Sequence, residues 1–187
     1  ESLKILKETS ALLEGHFILS SGLHSDKYVQ CAKLLSKPDK AKNICLSLAE
    51  KIKEKHNNLD LILSPAIGGI VIGYEIGKIL NIETIFAERV NTNFHLRRGF
   101  EIKKGQKVLI VEDVITTGKS SLECSRLVEK MLGTVVGYAC IIDRSNKNLL
   151  IKESITSQIK IDIPTFKEND IPDSLKKIKA IKPGSRS

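Results

Sequence analysis

Apolar positions in this chain come in short runs divided by polar turns, and their period switches repeatedly between helical and extended spacing. Residues 2–14 place Leu3, Ile5, Leu6, Leu12 and Leu13 at roughly helical intervals, with Gly15 as the expected stop. From Gly15 to Leu35 the pattern predicts a short strand, a turn at Ser21–Gly22 and a second extended piece from Tyr28. Pro38 opens a helix that runs to about Lys55, with Ala41, Ile44, Cys45, Leu48 and Ile52 on one face. Leu59–Leu63 reads as a strand ending in Ser64-Pro65-Ala66-Ile67-Gly68-Gly69, and a helix follows to about Leu80. Gly69, Gly73 and Gly77 recur every four residues there, a face on which a missing Cβ lets the helix lie close to a sheet. The competing reading, a membrane helix-pairing motif, is opposed by Glu75 and by the short length.

The second half repeats the alternation. Thr84–Ala87 is a strand, and Glu88–Phe100 lacks periodicity and reads as a loop or hairpin. Gly105 turns the chain into a buried strand at Val108–Val111. A helix from Gly118 to about Leu132 turns Leu122, Leu127, Val128 and Met131 inward. Thr134–Ile142 is a long apolar strand with Asp143-Arg144 at its carboxyl end. Residues 145–155 are polar and suggest no element, Ile159–Ile163 alternates as a half-buried strand should, and a lysine-rich helix is expected near Ser174–Ala180. Strand and helix in alternation predict an α/β fold, a mostly parallel central sheet flanked by helices. Ligands of such sheets bind beyond the carboxyl ends of the strands. Three of these ends then converge: Ser64–Gly69, Glu112–Ser120 and Asp143-Arg144.

Composition narrows the picture. A length of 187 residues suits one domain spanning 1–187, and 41% hydrophobic residues suffice for a sizeable core. With 4% aromatics and no Trp, that core is aliphatic. A net charge of +8 suits an anionic partner, or else reflects lysines on solvated helix faces. The four cysteines (Cys31, Cys45, Cys124 and Cys140) form no C-x-x-C pair and fall inside predicted elements, so they are expected to be buried free thiols of a reducing compartment. No charged leader precedes an apolar core, and the longest apolar run, around Ile67–Tyr74, is too short to span a bilayer. A cytoplasmic protein with no membrane partner is the expectation.

The chemistry concentrates at Lys107–Ser121, KVLIVEDVITTGKSS. A buried strand ends in two acids, Glu112 and Asp113, and leads through Val114 and Ile115 into a turn with Thr116, Thr117, Gly118, Lys119, Ser120 and Ser121 at a helix start. Unpaired N–H groups and the positive end of the helix dipole attract a phosphate dianion, and Gly118 lets the backbone approach it. Two acids would repel a phosphate, but they accept hydrogen bonds from neighbouring sugar hydroxyls or hold a hydrated Mg²⁺. Acids beside a phosphate turn therefore specify a sugar phosphate. Gly118-Lys119-Ser120 resembles the end of a nucleotide P-loop, yet the glycine required earlier is replaced by Asp113, so that reading fails.

VLIVEDVITTGKSS resembles the PRPP-binding motif of the type I phosphoribosyltransferases (PRPP being 5-phosphoribosyl 1-diphosphate). FILSSGLHSDKY, ER followed by LRRGF, IIDR and the terminal KPGSR are together similar to the orotate phosphoribosyltransferase family. The resemblance implies a type I phosphoribosyltransferase fold with a small hood from about 1–35 and the C-terminal segment. It also implies transfer of the phosphoribosyl group from PRPP to orotate, with Mg²⁺, in pyrimidine biosynthesis. By motif, Glu112 and Asp113 take the ribose hydroxyls, Val114 to Ser120 wraps the ribose phosphate, and Thr116 and Arg144 face orotate. Ala66, Ile67, Gly68 and Gly69 match the pyrophosphate loop. Arg89, Arg97 and Arg98 fall in the mobile flap, which in the family often reaches a neighbouring subunit and so implies a homodimer. Where many members carry a lysine two residues after the early Ser-Gly, this chain has His24, with Lys27 three residues on; both are candidates for that contact. Two other readings compete: a purine phosphoribosyltransferase of the same fold, which would leave Arg144 without a carboxylate to meet, and a PRPP-sensing nucleic-acid regulator. No helix-turn-helix pattern supports the second, and no nucleic-acid partner is expected.

Overall fold

The computed structural model describes residues 1–19 and 21–183; the Gly184–Arg186 part of the KPGSR motif lies outside the described residues. The first helix, α1 (Ser2–Glu8), is shorter than the apolar spacing suggests. Thr9 folds its hydroxyl back onto the Ile5 carbonyl at 2.8 Å, and Ser10 takes a left-handed φ of 57°, so the chain leaves the helix there. Leu12 and Leu13, read above as helical, instead open β1 (Leu12–Ile18), which pairs antiparallel with β2 (His24–Val29). A short helix, α2 (Cys31–Leu35), then replaces expected extended chain. The long α3 (Pro38–Lys55) has the expected bounds and buries Ala41, Ile44, Cys45, Leu48 and Ile52.

The next elements alternate as the pattern requires: β3 (Leu61–Pro65), α4 (Gly68–Leu80), β4 (Thr84–Val90), β5 (Asn93–Leu96), β6 (Lys107–Ile115), α5 (Lys119–Lys130) and β7 (Thr134–Asp143). The uncertain 88–100 segment contains a two-residue hairpin, closed by the Val90–Asn93 pair, with Asn91 at positive φ. The strand expected at Ile159–Ile163 lies earlier, as β8 (Ile155–Lys160). It is followed by the two-residue β9 (Thr165–Phe166) and the short helix α6 (Asp173–Lys176). The six-stranded sheet has the order β5-β4-β3-β6-β7-β8 and is parallel except for the β4–β5 edge pair. A separate three-stranded sheet, β1-β2-β9, forms the hood.

Alternation along the central strands sorts their side chains into two cores. Leu109 and Val111 of β6 join the core shared with α3 and α4, while Val108 and Ile110 join the other, shared with α5. The glycine face of α4 meets the sheet as expected: a Cβ on Gly69 would sit 3.0 Å from the Val111 carbonyl, one on Gly73 would strike Ser64, and one on Gly77 would strike Thr84. On α5 the inward residues are Ser121, Cys124, Ser125 and Val128, whereas Met131, expected inside, is 41% exposed. All four cysteines are buried and unpaired.

Candidate active site

β3, β6 and β7 are neighbours in one parallel sheet, so their carboxyl ends open side by side. The three segments predicted to converge are therefore adjacent. At the centre, the alternation of β6 continues through its acids and sends them to opposite faces. Glu112 turns toward α5 and accepts a hydrogen bond from the buried Ser121 hydroxyl. Asp113 turns toward α4, where a Cβ on Gly68 would lie 2.8 Å from its Oδ1, and that oxygen accepts the Val114 N–H at 2.9 Å. Burial pushes the Glu112 carboxyl up to about 7, with the neighbouring Asp113 charge adding to the rise. Burial also raises Asp113, against the opposing Val114 N–H bond.

Beyond the acids the chain bends around a concavity of about 120 Å³ lined by Glu112, Val114, Ile115, Thr116, Thr117, Gly118, Lys119 and Ser120. The segment expected to wrap a phosphate thus bends around a hollow. Thr116, Thr117 and Lys119 are exposed, while Gly118 is buried at φ 73°. A side chain at 118 would be strained by that φ and would also meet Ile151 at 2.7 Å. The Ser121 hydroxyl, which the sequence offered to the same ligand, is held by Glu112 instead. Two larger hollows, of about 560 and 410 Å³, lie along the outer groove between α3 and α4 and share Leu46 and Ile79; neither includes a residue of the phosphate turn.

On the β3 side, Ile67, Gly68 and Gly69 form the entry to α4, where helix-end N–H groups lack intrahelical partners. The Ala66 N–H is not free, because it donates to the Ala87 carbonyl at 2.8 Å. The Ala66–Ile67 peptide bond is cis. On the β7 side, Asp143 is buried and accepts the Ser145 N–H at 2.7 Å. The next residue, Arg144, is tied to the phosphate turn through its own N–H, which donates to the Ile115 carbonyl at 2.8 Å. Its Nε is buried without a hydrogen-bond partner, and burial lowers its pKa.

The three arginines of the 88–100 segment stand apart from this group and are held by carboxylates. Arg89 reaches Glu123 of α5 at 2.6 Å and stacks over Phe94 at 4.1 Å. Arg98 forms a two-pronged contact with Glu88 at 2.9 and 3.0 Å, and Arg97 approaches the same carboxylate at 3.9 Å. In the hood, Lys27 lies 3.5 Å from Asp26, and His24 bonds to His16. Among the described residues no group of three or more His, Cys, Asp or Glu side chains could hold a metal ion, and no helix is long and apolar enough to cross a membrane.

The family model of the phosphoribosyl transferase domain matches residues 34–175, a span that takes in the parallel sheet, the acid pair and the hollow beyond it. The fold serves more than one base. The chain superimposes on the crystal structure of adenine phosphoribosyltransferase from Thermoanaerobacter pseudethanolicus with a TM-score of 0.61 (21% identity; 72% of this chain, 88% of that one). It superimposes on orotate phosphoribosyltransferase from Aeropyrum pernix with a TM-score of 0.74, again at 21% identity, over 86% of this chain and 94% of that one. Sequence separates the two: the chain is 45% identical over 182 residues to the orotate phosphoribosyltransferase of Rhizorhabdus wittichii, covering 97% of this chain and 93% of that protein. The chain belongs to the orotate phosphoribosyltransferase family.

Proposed function

We propose that this chain transfers the phosphoribosyl group of PRPP to orotate, giving orotidine monophosphate and pyrophosphate, as a step of pyrimidine synthesis in the cytoplasm. The observation that carries the reading is Arg144. Its partly buried guanidinium, with an unpartnered Nε, sits at the end of β7 and is bonded through its backbone to the phosphate turn. A carboxylate on the incoming base would satisfy it as a paired, charge-assisted hydrogen bond; a purine offers none. Burying a polar group without a partner is unfavourable, so the site is preorganised for an anion.

The remaining roles are those the motif implies, and placement supports them. The ribose phosphate lies in the hollow formed by Val114 to Ser120, met by helix-end N–H groups, the exposed Thr116 and Thr117 hydroxyls and Lys119. Thr116 also borders the orotate. Glu112 and Asp113 take the two ribose hydroxyls from opposite sides of β6. As the bond from the anomeric carbon to the diphosphate lengthens, positive charge grows on the sugar and negative charge on the leaving group. Fixed donors at the point where charge develops lower that barrier. Here these are the N–H groups of Ile67, Gly68 and Gly69. Holding the base nitrogen in line, through Arg144, supplies the orientation term. Magnesium suits this site as a companion of the diphosphate: Glu112 and Asp113 would hold its water ligands, and the bound ion would spread the leaving charge.

Arg89, Arg97 and Arg98 would have to leave their carboxylates to reach the diphosphate, as part of a flap that closes over the substrates and excludes water. A second copy of the chain is the expected neighbour. Ile67, Val71 and Tyr74, spaced along one side of α4, are 85%, 52% and 64% exposed, an apolar stripe that a homodimer would cover. The test is direct. Purified protein with PRPP and Mg²⁺ should deplete the orotate absorbance while releasing pyrophosphate. Turnover of adenine, guanine or hypoxanthine in place of orotate would overturn the assignment.

A further inference from the structure

Residues 145–154, in the connection from β7 to β8, carry none of the roles assigned above, yet they pack directly on the phosphate turn. The turn is fastened at two carbonyls: Ile115 accepts the Arg144 N–H and Thr117 accepts the Leu150 N–H, each at 2.8 Å. Gly118, the next residue, rests on two apolar side chains of the connection. A Cβ there would lie 2.7 Å from both Cγ1 and Cδ1 of Ile151 and 3.3 Å from Cδ1 of Leu149. The connection is itself braced. The Asp143 carboxylate accepts the Ser145 N–H at 2.7 Å, the Asn146 side chain accepts the Asn148 N–H at 2.9 Å, and the Asn146 carbonyl accepts the Leu149 N–H at 3.0 Å. Ile151 is 4% exposed and joins the core shared with α5, whereas Leu150, between the two apolar contacts, is 50% exposed.

The two ties decide where the turn's donors point. A trans peptide holds its C=O and N–H antiparallel. With the carbonyls of Ile115 and Thr117 drawn toward β7 and its connection, the N–H groups of Thr116 and Gly118 are turned the other way. Carbonyl oxygens, which would repel an anion, are thereby kept off the face that binds it. The hollow is lined by Glu112 and residues 114–120, so the connection acts on it from behind. Gly118, at φ 73°, makes the bend possible, but a glycine left to itself samples many other conformations. The Ile151 side chain occupies the space beside its Cα and removes that freedom. We propose that Ile151 is a positioning residue for the ribose phosphate. With Leu149 it clamps Gly118, and the Leu150 N–H held between them sets the Thr117 peptide, so that the hollow is formed before the anion enters. Ile151 itself touches no substrate. The proposal rests on the phosphoribosyl reading of the same hollow.

The test joins amide hydrogen exchange in the full chain to kinetics with PRPP, Mg²⁺ and orotate. Ile151→Ala should speed exchange of the Leu150 N–H roughly tenfold, as the tie to Thr117 opens locally. It should raise the KM for PRPP about tenfold, with kcat and the KM for orotate changed less than about twofold. Val108→Ala opens a gap at the opposite end of the same core and should move neither the Leu150 exchange nor the KM. Equal effects of the two variants, or an unchanged KM for PRPP in Ile151→Ala, would overturn the proposal. Gly118→Ala should also raise the KM for PRPP. Combining it with Ile151→Ala, which removes both atoms the new methyl would strike at 2.7 Å, should cost less than the product of the separate losses. Fully multiplicative losses would show that Ile151 does not act through Gly118. If Ile151→Ala fails to fold, Ile151→Val should show the same selective rise, about threefold, and equal rises for PRPP and orotate would count against the clamp. If the unmodified chain turns over no orotate, the functional reading fails. Exchange at Leu150 and the affinity for ribose 5-phosphate, which Ile151→Ala should weaken about tenfold, then still decide the clamp.

Discussion

Gly68, the first residue of α4, lies directly against Asp113 of β6: a Cβ on the glycine would fall 2.8 Å from one carboxylate oxygen and 3.0 Å from the other. The loop proposed to meet the diphosphate thus lies directly against the acid pair. Gly68 is itself exposed, so the cost of filling that space falls on the site rather than the core. Gly68→Ala should raise the KM for PRPP at least about tenfold by displacing Asp113 or the loop, since misplacements near 1 Å cost up to ~100-fold. Its melting temperature should stay within a few degrees of the parent. A normal KM would show that the carboxylate is free to swing aside.

Glu112 should make stability depend on pH in an unusual direction. Its folded pKa of about 7 is above the ordinary carboxyl value of 4.5, so the folded state prefers the protonated form. The carboxyl costs no stability below pH 4.5, and stability is lost as pH rises from there through about 7. Glu112→Gln removes an ionisation penalty on the order of 3 kcal/mol above that range. The melting temperature of the variant relative to the parent should be higher at pH 8 than at pH 5, with PRPP use impaired at both. An offset independent of pH would contradict the assigned shift.

Arg144→Ala should raise the KM for orotate by roughly 10- to 100-fold, the worth of a charge-assisted hydrogen bond. The KM for PRPP should change little. Arg144→Lys should not restore the orotate value, because an ammonium lacks the planar pair of donors. Equal losses for both substrates would instead mean that the residue holds the phosphate turn in shape.

The glycine face of α4 makes a prediction about stability alone. A methyl at Gly73 meets the Ser64 side chain, which can rotate; a methyl at Gly77 meets Thr84 and lies 2.8 Å from the backbone carbonyl of Ile82, which cannot. Overpacking costs about 1–3 kcal/mol, and replacing a helical glycine by alanine returns about 1 kcal/mol. Gly77→Ala should therefore lower the melting temperature by several degrees, and Gly73→Ala by less. Thermal denaturation of the two variants reads the order directly.

What the sequence discloses depends on how local the cause is. The helix at Pro38–Lys55, the glycine face and the strand carrying Glu112 and Asp113 are written in spacing and chemistry within a few residues, and all are present in the structure. The N-terminal helix is overread because leucines at 12 and 13 satisfy either period; the decision is made by Ser10 and by pairing of Leu12 with Val29. The carboxylates that hold Arg89 and Arg98 lie 34 and 10 residues away, so an arginine-rich loop reads as free charge. His16 of the hood also bonds to the Ile178 carbonyl, 162 residues distant, a backbone partner that no side-chain pattern announces.

The hood is closed by residues far along the chain from its first two strands. β9 supplies the third strand beside β2, and Ile181 exchanges backbone hydrogen bonds with β1, accepting from Ile18 at 2.8 Å and donating to His16 at 2.9 Å. The central sheet can assemble as its strands emerge from the ribosome, because most of its neighbours are close in sequence or already made. The hood cannot, because its first strands wait for residues 165–181. A nascent chain would thus form the hollow at 114–120 before it could cover a substrate, and the ability to act would arrive only once residues 165–181 have emerged.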